Sequence, residues 1–283
     1  MRLPFALARR FVAGEVFEEA VSAVASLNNK GIAVSLDLLG ENVKDRKLAD
    51  QTVDDYINLV RGIAERSLNS GISIKLTMLG LDIDYQYTID NLHKLLEVSK
   101  EHDVFVRIDM EGSPYTRQTV SIFENALKTY GNDVGLVLQA YLKRTAEDIS
   151  NLAARNADIR LCKGAYSESQ DIAIRKMPEI RTAYKKYAET LLEKTKYPRF
   201  ATHDDELINW VKNYTTENNV AKSAFEFQML YGLRQDTCEQ LVQEGYNVRV
   251  YVPYGTMWVP YFTRRLKERK ENVFFVLSTM FKK

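Results

Sequence analysis

Apolar residues recur along this chain with two distinct periods. Eight short segments alternate apolar and polar residues, or run apolar, and predict strands at Ile32–Leu39, Ile72–Leu79, Val104–Glu111, Val134–Tyr141, Asp158–Ala165, Arg199–His203, Phe225–Leu230 and Val248–Pro253. Between them the apolar positions recur near 3.6, as in Val53, Tyr56, Ile57, Val60, Ile63 and Ala64, and predict helices. Gly31, Gly71, Gly131 and Gly245 follow helical stretches and precede strands, the place of helix-ending glycines. A strand followed by a helix, eight times over, predicts a (β/α)8 barrel of the TIM type. The competing doubly wound α/β sheet usually carries a Gly-rich turn after a strand. Neither G-x-G-x-x-G nor G-x-x-x-x-G-K-[ST] occurs in the chain. No low-complexity linker divides it, so one barrel domain over residues 1–283 is expected, with a short helical segment at about 1–30.

Alternation within the strands carries the functional signal. One face of Val104–Glu111 is Val104, Val106, Ile108 and Met110; the other is Phe105, Arg107, Asp109 and Glu111. Likewise Ser73, Lys75 and Thr77 oppose Ile72, Ile74, Leu76 and Met78, while Ser35 and Asp37 oppose Val34 and Leu36. Gln139, Tyr141, Arg160, His203, Glu226, Gln228, Arg249 and Tyr251 continue the polar face. Helices pack on the outside of a barrel, so the polar face should point inward. Burying ions there costs several kcal/mol for each one left unpaired. A mostly enclosed site for a large polar ligand meets that cost, and a network of satisfied buried ion pairs is the alternative.

Charge and composition narrow the classes. Thirty-nine Lys and Arg against 38 Asp and Glu leave a formal charge of +1, which excludes a protein built mainly to coat nucleic acid. With 45% hydrophobic residues, the chain has material for a core. Cys162 and Cys238 cannot make a disulfide framework, so a reducing compartment is expected. His93, His102 and His203 show no zinc-ligand spacing, and no metal is expected. No apolar run reaches the roughly 18–20 residues of a spanning helix, and the basic start is too short for a signal peptide. A cytoplasmic location is the expectation.

Three motifs bear on chemistry. Arg160-Leu161-Cys162-Lys163-Gly164-Ala165-Tyr166 ends the fifth strand, with open backbone at Gly164 and Ala165 and positive charge from Arg160 and Lys163. Cys162 reads as a small core residue, since no histidine lies near it in sequence. Thr202-His203-Asp204-Asp205 closes the sixth strand; an aspartate there suits a helix N-cap, and His203 is open to three roles, donor to a ligand, general base or satisfied buried residue. The last helix, Trp258 to Lys270, groups Tyr261, Arg264, Arg265 and Glu268 at i, i+3, i+4 and i+7. It reads either as a solvated basic face with an Arg264–Glu268 pair or as a cap over the barrel mouth that offers two guanidinium groups to a carboxylate.

Together these runs resemble bacterial monofunctional proline dehydrogenase. The resemblance is carried by Val248-Arg249-Val250-Tyr251-Val252-Pro253-Tyr254-Gly255-Thr256, by Tyr261 to Arg269, and by the Arg160, Thr202-His203 and Phe225-Glu226-Phe227-Gln228 runs. Upstream it includes Arg10-Phe11-Val12-Ala13-Gly14-Glu15, Leu39-Gly40-Glu41, Ile74-Lys75-Leu76-Thr77, Ile108-Asp109-Met110-Glu111 and Leu138-Gln139-Ala140-Tyr141-Leu142. The stretch ahead of Arg10 is short for the family, as in a truncated form, and Cys162 stands where a valine is common.

The resemblance implies a distorted (β/α)8 barrel whose last helix covers the mouth. It implies oxidation of L-proline to Δ1-pyrroline-5-carboxylate, the first step of proline catabolism to glutamate, by hydride transfer to N5 of a non-covalent FAD. Asp109 and Arg160 would be the catalytic pair, with Asp109 holding Lys75 or the substrate amine and Arg160 near flavin N5. Arg264, Arg265 and Lys75 would bind the substrate, Tyr166, Tyr251 and Tyr261 would wall it, and Glu268 would orient the arginines. Met110, Gln139, Arg160, Lys163, Gly164, Ala165, Thr202, His203 and Gln228 match cofactor-contacting positions. A membrane quinone would reoxidise the flavin, through peripheral contact at the inner face of the membrane. Two other classes fit the bare residues: a Schiff-base aldolase barrel using Lys75, and a non-catalytic carboxylate-binding barrel.

Overall fold

A computed structural model of the chain describes residues 5–268, save the side chains of 267 and 268. Eight parallel strands close into a barrel in chain order: β1 Ala33–Leu38, β2 Ser70–Ile74, β3 Val106–Ile108, β4 Val134–Gln139, β5 Asp158–Cys162, β6 Arg199–Ala201, β7 Glu226–Leu230 and β8 Asn247–Tyr254. The helices are α1 Phe17–Asn28, α2 Arg46–Glu65, α3 Tyr85–Glu101, α4 Ser113–Tyr130, α5 Thr145–Ala153, α6 Met177–Lys194, α7 Asp205–Glu217, α8 Gln235–Gln243 and α9 Trp258–Glu268. Asp45, Asp84 and Asp204 start α2, α3 and α7 by accepting bonds from Leu48, Tyr87 and Glu206 backbone N–H groups.

The apolar strand face points outward, as alternation requires. Val34, Leu36, Ile72, Ile74, Val106, Ile108, Leu136 and Leu138 are buried in one core with Tyr56 and Val60 of α2, Leu92 and Leu96 of α3 and Phe123 of α4. Burying each such aliphatic side chain contributes about 1.5–3 kcal/mol.

Several strands stop earlier than the pattern predicts. β2 ends at Ile74 instead of Leu79, because the chain turns into a 3-10 segment at Leu76–Met78; β3 ends at Ile108 instead of Glu111. β5 stops at Cys162 and β6 at Ala201. Pairing runs out at the flared end of the barrel, where chains leave for their helices, while the side chains keep an inward phase for another residue or two. Lys75, Asp109 and Lys163 therefore stand on the carboxyl-terminal rim. Gly31 and Gly245 have positive φ after α1 and α8, and Gly131 does so at the end of α4. Gly71 lies inside β2 instead, where a Cβ would sit 2.7 Å from the Phe105 carbonyl oxygen; Ser67, at φ +50°, makes the turn after α2.

The inward polar face divides into two layers. At the amino-terminal end, Asp158 pairs with Arg107 and, at 2.7 Å, with Arg199; Arg199 and Arg249 reach Glu226 at 2.9 and 2.8 Å. Gly135 leaves room for this layer, since a Cβ there would fall 2.3 Å from Arg107 Nη1. The layer is a satisfied ionic core, so half of the polar face carries the structural reading. Burial pushes the Glu226 carboxyl up, but Arg249 and Arg199 outweigh it and hold the group far below the usual carboxylate range. Its stability contribution is therefore full above the unfolded value near pH ~4.3 and is lost as pH falls towards the folded value. Glu226→Gln should cost about 3 kcal/mol in urea unfolding at pH 7, and the difference should shrink below pH ~4.

The chain before α1 and the last helix meet at the other end. Phe11 and Val12 pack with Leu233, Trp258, Tyr261 and Phe262. Ala13 N–H donates to the Pro253 carbonyl at 2.9 Å, and Trp258 Nε1 to Glu15 at 3.2 Å, which fixes α9 against the end of β8.

Candidate active site

At the carboxyl-terminal end of the strands lies a cavity of about 1130 Å³. It takes Lys75 from just past β2, Asp109 and Met110 from just past β3, Gln139 from β4, Arg160 from β5, Gln228 from β7, Tyr251 from β8, and Tyr261, Arg264 and Arg265 from α9. Lys163, Gly164, Ala165, Tyr166, Thr202 and His203 also line it. Every residue to which the resemblance gives a role lines this one space except Glu268, whose side chain lies outside the described residues.

Asp109 is the hub of the upper layer. Its Oδ1 bonds to Arg160 Nη2, and its Oδ2 accepts from the Tyr251 hydroxyl at 2.8 Å. Arg160 also lies 5.3 Å from the centre of the Tyr251 ring, with Ser73 Oγ and Gln228 Oε1 each 3.4 Å from its Nη1. The guanidinium is thereby held in the barrel throat by contacts from β2, β7, β8 and the residue just past β3.

Lys75 has a different partner from the expected one. Its ammonium donates to Asp37 Oδ1 at 2.7 Å, and both groups are buried. Asp109 acts on it only through space. Burial favours the neutral amine, but the attraction of Asp37, and next of Asp109, outweighs it and raises Lys75 above the ordinary lysine value. Lys75 is thus a fixed cation at neutral pH, the wrong form for a Schiff-base nucleophile, and the aldolase reading loses its support.

The arginine pair is split in the same way. Arg265 is buried, with its guanidinium 5.1 Å from the Tyr261 ring centre. Arg264 pairs at 2.6 Å with Glu41, from the segment after β1. A buried Arg265, a half-buried Arg264 paired with Glu41, and both residues lining the cavity argue against the solvated-face reading of α9.

The far side of the cavity is ionic and more open. Lys163 Nζ and Arg181 Nε each reach Asp204 Oδ2 at 2.9 Å, and Asp204 also caps α7. Burial pushes the Asp204 carboxyl up, and Arg181 and Lys163 more than cancel this. His203 Nε2 accepts from the Leu230 N–H at 2.9 Å, so its proton sits on Nδ1 and Nε2 is not available as a general base. Gln139 bridges two loops, donating to the Glu111 carbonyl and accepting from Ala165 N–H, both at 3.2 Å. Gly164 has φ +128° and packs on Tyr141, whose ring a Cβ would meet at 2.2 Å. Cys162 lines the floor, and burial pushes its thiol up to about 11, which makes it a poor nucleophile.

Asp37, Glu41 and Arg181 complete the site, although none of the three was given a role from the sequence. Asp37 carried a signal, as the charged inward residue of the first strand. Arg181 carried none, being one basic residue among many on a helix.

Comparisons with known proteins agree with this architecture. A family model described as proline dehydrogenase matches residues 20–278. "Proline dehydrogenase 2" of Bacillus subtilis is 41% identical over 276 residues, which cover 98% of this chain and 91% of that one. "Proline dehydrogenase" of Deinococcus radiodurans is 38% identical over 280 residues, covering 98% and 90%. Among solved structures, proline utilization A (PutA) of Bdellovibrio bacteriovorus, inactivated by N-propargylglycine, superposes with a TM-score of 0.87 at 26% identity. That match covers 93% of this chain and 32% of the larger protein.

Proposed function

Since this chain belongs to the proline dehydrogenase family and is a proline-oxidising enzyme acting at the first step of proline catabolism, we propose that it converts L-proline to Δ1-pyrroline-5-carboxylate using one non-covalent FAD. The observation that carries the reading is the convergence of Lys75, Arg264 and Arg265 with Tyr166, Tyr251 and Tyr261 around the Asp109–Arg160 pair, in one cavity.

The residues present fit a dinucleotide flavin. At about 1130 Å³ the cavity exceeds the ~300–1,000 Å³ of sites for drug-sized ligands and is far larger than proline needs. Its walls pair small residues and open backbone at Gly164 and Ala165 with donors from Arg160, Lys163, Thr202 and His203. Met110, Gln139 and Gln228 complete the contacts assigned to the cofactor. When bound, FAD supplies a two-electron acceptor that takes a hydride at N5.

The chain's own groups do the rest. Arg265 and Arg264 hold the proline carboxylate, and Lys75 adds a third fixed positive charge. Tyr251, Tyr261 and Tyr166 enclose the ring and exclude water, so that the carbon next to the ring nitrogen is held in one orientation. Arg160, oriented by Asp109, would hold positive charge beside the flavin, which gains negative charge when it accepts the hydride. Glu268 belongs to this proposal as the residue that orients the arginines from the end of α9.

A membrane quinone is the proposed final electron acceptor, met peripherally by an otherwise cytoplasmic enzyme. Among the described residues no helix is long and apolar enough to cross a membrane.

The purified protein should be yellow, release FAD on acid or heat treatment, and reduce an artificial dye with proline. Recovery of FMN, or of no flavin from protein expressed with ample riboflavin, would refute the cofactor assignment. Absence of proline-dependent dye reduction by the flavin-loaded protein would refute the substrate.

A further inference from the structure

Helix α4 begins without a cap of its own. Gly112 occupies the N-cap position and has no side chain, and Pro114 follows Ser113 in the first turn. The missing acceptor comes from 55 residues away. Glu168 takes the Ser113 N–H at 2.8 Å with one carboxylate oxygen and the Ser113 hydroxyl at 2.6 Å with the other. A carboxylate at the amino end of an 18-residue helix also meets the favourable end of its dipole.

Glu168 lies on the segment between β5 and α6, two residues past Tyr166. That segment is stitched down at several places, the first where the Lys163 carbonyl accepts from Tyr141 N–H at 2.9 Å. Ala165 N–H reaches Gln139, Glu168 reaches Ser113, and further on Lys143 N–H donates to the Ile172 carbonyl and Ile174 N–H to the Tyr141 carbonyl. Arg175 Nη2 closes the segment on itself at the Glu168 carbonyl, 3.0 Å away. Tyr166 thus sits between the anchors at Ala165 and Glu168, and without Glu168 the next one downstream is six residues past Tyr166, at Ile172. On the opposite side, Ser113 is four residues past Asp109, on the same rim of β3.

We propose that Glu168 is a positioning residue for the proline site: it latches the β5–α6 segment to the start of α4 and so holds Tyr166 in the cavity wall. This rests on the reading of Tyr166 as part of that wall. Contact between a tyrosine and the substrate ring exists in the ground state and the transition state alike, so loosening it should raise KM and leave kcat nearly alone.

The test uses flavin-loaded Glu168→Ala, Ser113→Ala and the double variant. Hydrogen exchange at residues 164–170 should speed up about tenfold or more in Glu168→Ala, and the proline KM should rise about tenfold with kcat within about twofold of the parent. Ser113→Ala should give a smaller rise, and the double variant should be no worse than Glu168→Ala, because both remove one interaction. If Glu168→Ala does not fold, Glu168→Gln keeps the shape and one acceptor, and a KM rise of about threefold is expected of it. Exchange at parental rates, KM within twofold despite faster exchange, or additive effects in the double variant would each overturn the latch. A parent enzyme that turns over no proline would refute the functional reading instead, and the exchange rates would still decide whether the latch exists.

Discussion

Asp109→Ala should remove most proline turnover while the flavin stays bound. In the parent, Asp109 is the carboxylate on which both Arg160 and the Tyr251 hydroxyl converge. Removing it strands a buried guanidinium and unties the tyrosine, and breaking a buried pair costs about 3–5 kcal/mol. At about 1.4 kcal/mol per decade, kcat/KM should fall by roughly 2–3.5 decades. Lys75 keeps its own partner, Asp37, so the loss comes from Arg160 and Tyr251 rather than from an uncompensated lysine. Steady-state kinetics with a dye acceptor, together with flavin content from the visible spectrum, measure both quantities. Turnover within about threefold of the parent contradicts a catalytic role, and loss of the flavin makes Asp109 a structural residue.

The second large effect concerns the carboxylate clamp. Arg265 is buried at the mouth against the Tyr261 ring, whereas Arg264 is half-buried and pairs with Glu41, so Arg265 is the more deeply enclosed of the two arginines. Arg265→Met should cost about 2–5 kcal/mol of transition-state stabilisation, the range for a broken buried charge contact, or roughly 1.5–3.5 decades in kcat/KM. Much of it should appear as a higher KM, because the carboxylate is bound before and during the reaction. The preference for proline over its carboxamide should narrow as well. Lys94→Ala, at an exposed site where the lysine pairs with Asp54 at 3.3 Å, is the comparison and should leave activity unchanged. Equal behaviour of the two variants, or an acid preference that survives intact in Arg265→Met, places the carboxylate elsewhere.

How much of this was legible in advance differs between the set of residues and their pairings. Asp37, Lys75, Asp109, Arg160 and Tyr251 announce themselves as polar positions in otherwise apolar strands, because a period of two puts every second side chain on one face. Their partners do not. Lys75 pairs with Asp37 across 38 residues, Arg160 with Asp109 across 51, and Glu168 with Ser113 across 55. Which inward residues stand level depends on how adjacent strands are staggered, and no local pattern encodes that stagger. Asp158 and Arg160 make the point. They share one strand and one face, two residues apart, yet Asp158 belongs to the sealed ionic core and Arg160 to the cavity.

By itself, then, the sequence determined the eight strand–helix units, the barrel they form, the inward set of charges and the arginines at its last helix. These follow from periodicity and from the need to hide apolar faces, both of which act locally along the chain. Only the tertiary structure decided where pairing stops and the rim begins, which half of the polar face is neutralised and which is left to meet a ligand, that Lys75 is locked as a cation by Asp37, and that Arg264 answers to Glu41. Those outcomes depend on distances between segments far apart in sequence. In a closed barrel such distances are set by strand stagger and by the loops at one end, and a shift of two residues moves a charge from the core to the site.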